Sequence, residues 1–171
     1  VILYTFSKKY AMTGWRLGAA IGPKEIIDAI TKLNVNDESC TNHFVQYAGL
    51  EALTGPQDGS KRIISALKER RNVCRELLNS IPGIVCGLPN STFYLYPRVT
   101  ELMKKLNMSD YEVFRRTILE ATGVSFCTRQ HFGKEMPDET DRYIRLSYSG
   151  IDIDEIQEGL SGLKKYVEQH T

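Results

Sequence analysis

Cysteine and histidine are sparse in this 171-residue sequence, and what little there is forms no pattern. Cys40, Cys74, Cys86 and Cys127 are widely spaced with no CxxC pair, and His43, His131 and His170 are scattered among them. That excludes the ligand spacing of a structural zinc site and leaves no disulfide framework to read. Reduced thiols in a cytoplasmic setting are the expectation. No apolar run approaches the roughly 18 residues needed to cross a bilayer, and the first residues have neither the basic start nor the apolar core of a signal peptide. A net charge of +1 gives no bulk attraction to nucleic acid or to an anionic membrane. Internal repeats and low-complexity segments are missing too. What remains, 42% hydrophobic and 25% charged residues, describes a globular chain able to bury a core.

The pattern along the chain changes style once. Val1–Phe6 is rich in β-branched and aromatic residues and reads as a strand, as does Arg16–Ile21. A domain rarely opens inside a buried strand, so an upstream portion is expected and the chain is read as a fragment. Gly22-Pro23 stops the second strand and opens a helix carrying Ile26, Ile27, Ile30 and Leu33 at helical spacing. After a polar loop, Asn36–Asn42, a helix is expected over Phe44–Leu53. A long one follows from Gly59 to Ile81, with its stripe at Ile63, Leu67, Cys74, Leu77, Leu78 and Ile81 and a solvated charged middle, Lys68–Asn72. Beyond it, short strands are expected at Ile84–Leu88, Phe93–Pro97, Val124–Cys127 and Tyr143–Ser149. Among them lies a helix over Asp110–Thr122, capped by Ser109 with Glu112 and stopped by Gly123. A last helix begins near Asp152, with Ile153, Ile156, Leu160, Leu163 and Val167 as its stripe. Residues 1–60 thus read as the tail of an α/β layer, 61–80 as a connecting helix and 81–171 as an α+β unit.

The chemistry-bearing stretch is Ser7-Lys8-Lys9-Tyr10-Ala11-Met12-Thr13-Gly14-Trp15-Arg16-Leu17-Gly18. It places a lysine at the mouth of a strand and an arginine in a turn flanked by glycines. Glycine permits tight turns and close approach to a ligand. A guanidinium fork suits phosphate, and a desolvated lysine beside other cations is a competent imine-forming nucleophile. Taken singly, these residues are better read as two solvated lysines and an arginine in a surface ion pair. A second stretch, Tyr143-Ile144-Arg145-Leu146-Ser147-Tyr148, alternates as a strand does, with Arg145 on the face of Tyr143 and Ser147. Arg142 falls on the opposite face and is expected in solvent.

The first motif resembles the Schiff-base lysine segment of the class I/II aminotransferases of PLP fold type I, and the second resembles the same family's Arg-(Ile/Leu)-Ser strand. The resemblance continues through Val45–Ala48 with Glu51–Leu53, Phe93–Pro97 and Phe132-Gly133, and so runs along essentially the whole chain. It implies an α/β fold: the C-terminal part of the fold type I large domain followed by a small α+β domain. It implies pyridoxal 5'-phosphate as cofactor, held covalently by Lys8 with its phosphate contacted by Arg16 and Thr5, and the substrate carboxylate held by Arg145. It further implies an amino acid and a 2-oxo acid as substrates, a homodimer, and Lys8 as the proton-moving base. The family's remaining cofactor contacts lie upstream of the lysine, so this polypeptide alone is expected to be inactive.

Two stretches depart from the family pattern: Pro89–Thr92, and Cys127–His131, where Pro-Gly is usual. They leave the substrate open. Arg129 reads as a solvated loop arginine rather than a contact for an acidic substrate, and Cys127 as a core thiol. The lysine and both arginines also occur in fold type I carbon-sulfur lyases, in aminocyclopropane-carboxylate synthases, and in non-catalytic aminotransferase-like sensor domains. A purely structural α+β domain is the remaining alternative, against which the long lysine motif counts.

Overall fold

The computed structural model describes residues 1–171, which divide into two units, Val1–Ser65 and Ala66–Thr171. The division falls within one helix.

The first unit opens with a hairpin. β1 (Ile2–Thr5) pairs antiparallel with β2 (Gly18–Ile21), Ile2 opposite Ile21 and Thr5 opposite Gly18. The twelve-residue connection between them holds the lysine motif. α1 (Lys24–Asp37) begins after Pro23, as the Gly-Pro signal predicts, and runs two residues into the expected polar loop. None of its residues is buried, although its apolar residues recur at helical spacing. α2 (His43–Thr54) buries Val45 and Gly49. Gly49 is small for a reason, since a Cβ there would meet Leu17 Cδ2 at 2.5 Å. The unit's buried apolar side chains are Phe6, Met12 and Val45.

α3 (Asp58–Asn79) carries the chain into the second unit, where the large core lies. Cys74 and Leu78 of α3 pack there with Ile81, Leu95, Phe114, Ile118, Ile144, Leu146 and Tyr148. The charged middle of α3 is only partly solvated. Arg70 Nη1 donates to the Ser149 carbonyl at 3.0 Å and Arg71 Nη1 to the Pro89 carbonyl at 3.0 Å, so both arginines tie the helix to loops.

The sheet of this unit has the order β3–β5–β4, all antiparallel: β3 (Tyr94–Leu95), β4 (Cys127–Thr128) and β5 (Ile144–Ser147). Tyr94 pairs with Ser147, and Cys127 with Arg145. β3 and β4 are shorter than the alternation suggests. The expected strand at Ile84–Leu88 is reduced to one bridge, Val85 with Arg98. The reason is local. Asn79 Oδ1 accepts from Cys86 N at 2.9 Å and Asn79 Nδ2 donates to Cys86 O at 3.0 Å, so a helix side chain satisfies the groups a ladder would have used. Gly83, at φ 93°, turns the chain so tightly that a Cβ would stand 2.6 Å from Leu102 N.

α4 (Thr100–Lys105) was not anticipated from the pattern; its six residues bury Thr100, Leu102 and Met103. α5 (Tyr111–Thr122) ends at Gly123 (φ 73°) as expected, but its cap is Asp110, not Ser109. Asp110 Oδ1 accepts from the backbone N–H of Glu112 at 2.8 Å and of Val113 at 2.9 Å. α6 (Ile153–His170) is capped reciprocally by Asp152 and Glu155 and buries Ile156, Leu160, Leu163 and Val167. No helix is long and apolar enough to cross a membrane.

Two outcomes follow from this packing. Asp110→Ala lowers stability by about 1 kcal/mol while Ser109→Ala leaves it unchanged, measured by denaturant unfolding; the reverse order would refute the cap. Burial pushes the Cys74 thiol up to about 12 and the Cys86 thiol to about 11. At about pH 8 both therefore resist a thiol reagent in the native protein and react on unfolding. Rapid native modification of either would contradict the core described.

Candidate functional site

Three of the four sequence-predicted site residues lie on the β1–β2 hairpin. Thr5 ends β1, and Lys8 and Arg16 sit in the connection that follows. The connection is held by its own backbone and hydroxyls. Tyr10 N donates to Phe6 O at 3.4 Å, Ala11 N to Lys8 O at 3.3 Å, and Thr13 Oγ1 to Ser7 O at 3.1 Å. Thr5 Oγ1 accepts from Ser7 N at 3.2 Å, which leaves the hydroxyl proton to donate elsewhere.

The motif's glycines are not where the backbone strain lies. Neither Gly14 nor Gly18 has a positive φ; the left-handed residues are Ala11 (φ 54°) and Arg16 (φ 55°). Gly18 is constrained instead by its pairing, because a Cβ would lie 3.1 Å from Tyr4 O, while Gly14 faces open space. Arg16 Nη1 donates to Thr13 O at 3.0 Å, and Arg16 belongs to none of the ion pairs. The first 24 residues contain no Asp or Glu, so Arg16 has no carboxylate along its own stretch of chain. Lys9 Nζ stands 4.9 Å from the Tyr10 ring centroid, and hydrogen bonds from Lys9 and Tyr4 hold the Tyr10 phenol below its ordinary pKa.

Arg145 belongs to the second unit. On β5, Ile144, Leu146 and Tyr148 are buried, and Arg145 and Ser147 take the other face. There the Arg145 guanidinium carbon lies 4.3 Å from the Tyr94 ring centroid and 4.6 Å from that of Phe132, and Nη2 donates to Cys127 Sγ at 3.6 Å. No carboxylate pairs with it. Tyr96 and Tyr143 stack alongside, 5.1 Å apart and tilted by 2°. Two contacts with aromatic faces, each typically worth about 0.5–2 kcal/mol, restrict the guanidinium without neutralising it.

Cys127 is therefore half-buried on this face and not a core thiol. Tyr94, Phe132 and Cys127 were not singled out as functional from the sequence. The period-2 alternation of Phe93–Pro97 against Tyr143–Ser149 was the available signal for Tyr94. Arg142 departs from its expected solvation. It is half-buried, with Nη1 2.6 Å from Glu135 Oε1 and its guanidinium 5.0 Å from the Tyr111 ring, because the β5 face it shares is covered at that end by α5. Arg129 is likewise not solvated but paired with Glu139.

A mixed helix-and-sheet chain with an amine, a guanidinium and a hydroxyl on one hairpin, and a carboxylate-free arginine on a strand of the second unit, has close relatives. The fold is that of the aspartate aminotransferase-like proteins of PLP fold type I. An aspartate aminotransferase from Rhizobium meliloti superposes with a TM-score of 0.84 at 28% identity, covering 99% of this chain and 42% of that one. An alanine aminotransferase from Pyrococcus furiosus does so at 0.80 and 28%, covering 98% and 42%. In sequence the chain is 34% identical over 169 residues to an asparagine–oxo-acid transaminase of Streptococcus mutans, covering 99% of this chain and 41% of that protein. It is 32% identical to an aspartate aminotransferase of Bacillus subtilis, covering 100% and 42%. The model of the family "Aminotransferase class I and II" matches residues 1–163, and the chain belongs to that family. It spans about two-fifths of the length of the curated relatives it matches.

The family is built around pyridoxal phosphate, an aldehyde bearing a phosphate dianion, and the donors present suit both ends. Lys8 offers a primary amine, Arg16 a guanidinium whose one hydrogen bond goes to a backbone carbonyl, and Thr5 a hydroxyl proton. Gly14 opens space beside them.

Proposed function

We propose that this chain is the C-terminal part of an aminotransferase, in which it supplies the lysine that holds pyridoxal phosphate and the arginine that holds the substrate carboxylate. The observation that carries the reading is Arg145, held by two rings and a thiol and by no carboxylate, in a chain that also bears the acid-free Lys8–Arg16 hairpin. In this reading Val1–Ser65 ends the large domain and Ala66–Thr171 is the small domain. The upstream part of the large domain completes the cofactor site, and the working enzyme is a cytoplasmic homodimer.

Pyridoxal phosphate, when bound, supplies an electron sink for the carbanion formed at the substrate Cα. The chain's own residues do the rest. Lys8 Nζ would be the point of covalent attachment, and its amine would serve as the general base for the Cα proton. Arg16 and Thr5 donate to the phosphate, a charge-assisted contact of defined geometry. Arg145 receives the α-carboxylate of the amino acid or the 2-oxo acid as a bidentate pair, which orients the substrate. The relatives, a transaminase and an aminotransferase, favour amino-group transfer over the lyase, synthase and sensor readings.

In the complete enzyme incubated with pyridoxal phosphate, borohydride reduction leaves a reduced cofactor on the peptide holding Lys8, and Lys8→Ala removes it. An adduct mapped to Lys9, or one surviving Lys8→Ala, would overturn the assignment. Arg145→Ala raises KM for amino acid and 2-oxo acid by roughly a hundredfold, the cost of a lost charge-assisted pair, with cofactor content unchanged. Loss of the cofactor instead would mean that the two arginine roles are misassigned.

A further inference from the structure

The loop after β4 is built around a second arginine. Arg129 Nε lies 2.9 Å from Glu139 Oε1 and Nη2 donates to Glu139 Oε2 at 3.0 Å, a two-point pair. Arg129 Nη1 also donates to Gly133 O at 3.1 Å and Nη2 to Lys134 O at 3.2 Å. Glu139 Oε2 in turn accepts from Met136 N at 3.3 Å. The two side chains are only 19% and 18% exposed, so solvent screens this pair less than the other ion pairs of the chain. With its donors spent this way, Arg129 is not available to a substrate anion. Its position at the start of the loop, with Arg129 N donating to Tyr143 O at 3.0 Å, anchors the loop to β5 two residues from Arg145.

What the clamp encloses is a short turn, Arg129–Phe132, whose start is held by Thr128 and His131: Thr128 Oγ1 and His131 Nδ1 are 2.8 Å apart. Gly133 then takes φ 122°, ψ 179°, a conformation essentially reserved for glycine, and reverses the chain. The last residue of the turn, next to Gly133, is Phe132, and its ring is one of the two against the Arg145 guanidinium.

We propose that Arg129 and Glu139 are positioning residues for carboxylate binding. Their ion pair fixes the loop over residues 129–139 so that Phe132 stands on Arg145 and holds its guanidinium at one orientation. This rests on the reading of Arg145 as the carboxylate ligand. Removing the pair lets Phe132 withdraw, and Arg145 then gains freedom it must lose each time a carboxylate binds. The effect is on substrate binding and not on the proton transfer at Lys8.

The test is steady-state kinetics on the complete enzyme. Glu139→Gln, which keeps the shape and one acceptor but removes the charge, raises KM for both amino acid and 2-oxo acid roughly tenfold, with kcat changed less than about twofold. Bound cofactor, read by absorbance, does not change. Arg129→Lys, which keeps the charge but cannot make the two-point pair, raises KM in the same direction and serves if Glu139→Gln does not fold. In a double-mutant cycle, Glu139→Gln adds nothing once Arg145 is alanine, because the group it positions has gone. An unchanged KM in the single variants, or additive effects with Arg145→Ala, overturns the proposal while leaving Arg145 as the ligand. If Arg145→Ala itself leaves KM unchanged, the reading of Arg145 fails, and the positioning role with it.

Discussion

Strand β5 has to do two incompatible things, and its period of two lets it do both. Ile144, Leu146 and Tyr148 are 2%, 7% and 1% exposed, locked among helices and the long α3. Shifting the strand by one residue would bury Arg145 and Ser147 and expose three large apolar side chains. At roughly 25 cal/mol per Å² of apolar surface the core thus fixes the register far more strongly than any contact on the arginine's face. Because the register is fixed, Cys127 stands opposite Arg145 and Tyr94 one pair along. Those two neighbours are consequences of the core.

The hairpin of the first unit works on another principle. Its connection buries Phe6 and Met12 and is otherwise held by hydrogen bonds from a backbone to itself and to side-chain hydroxyls. Two non-glycine residues, Ala11 and Arg16, sit in the left-handed region, at a cost of order 1 kcal/mol each. Strain of that kind persists where surrounding structure over-determines it. Here it accompanies the residues to which chemistry is assigned, whereas the motif's glycines have ordinary backbone angles. The sequence motif is therefore not a record of glycine conformation. Gly18 reports close approach to Tyr4 O, and Gly14 reports space.

Much of this was legible in the residues. The stripes of α5 and α6, the Gly22-Pro23 boundary, the lysine motif and the alternation around Arg145 are local patterns whose period is set by the backbone itself. What was not legible depends on partners distant in sequence or on choices between equivalent neighbours. Ser109 and Asp110 are both good caps, and only the path of the chain makes Asp110 the acceptor. Ile84–Leu88 looks like a strand until Asn79, seven residues before Cys86, takes both of its backbone groups. Arg129 looks like a surface residue until Glu139, ten positions on, folds back against it. Cys127 has the composition of a core residue and the register of a site residue, and the register decides.

The arginines of the second unit divide between those paired with a carboxylate and those, Arg70, Arg71, Arg75, Arg116 and Arg145, that belong to none of the ion pairs. Arg98, Arg115, Arg129 and Arg142 each find a carboxylate within 4 Å, and those pairs shape loops and helix ends. An exposed ion pair is worth only about 0–1 kcal/mol, so leaving Arg145 without one costs the fold little. Under the proposed role, giving it one would cost more in function, because an incoming carboxylate would have to displace an internal one for almost no net gain. Aromatic faces solve this. They hold the guanidinium through its charge and occupy none of its N–H donors, of which one goes to the weak acceptor Cys127 Sγ. An arginine kept oriented, charged and unpaired is what binding an anion requires, and the strand register together with the loop after β4 supplies it.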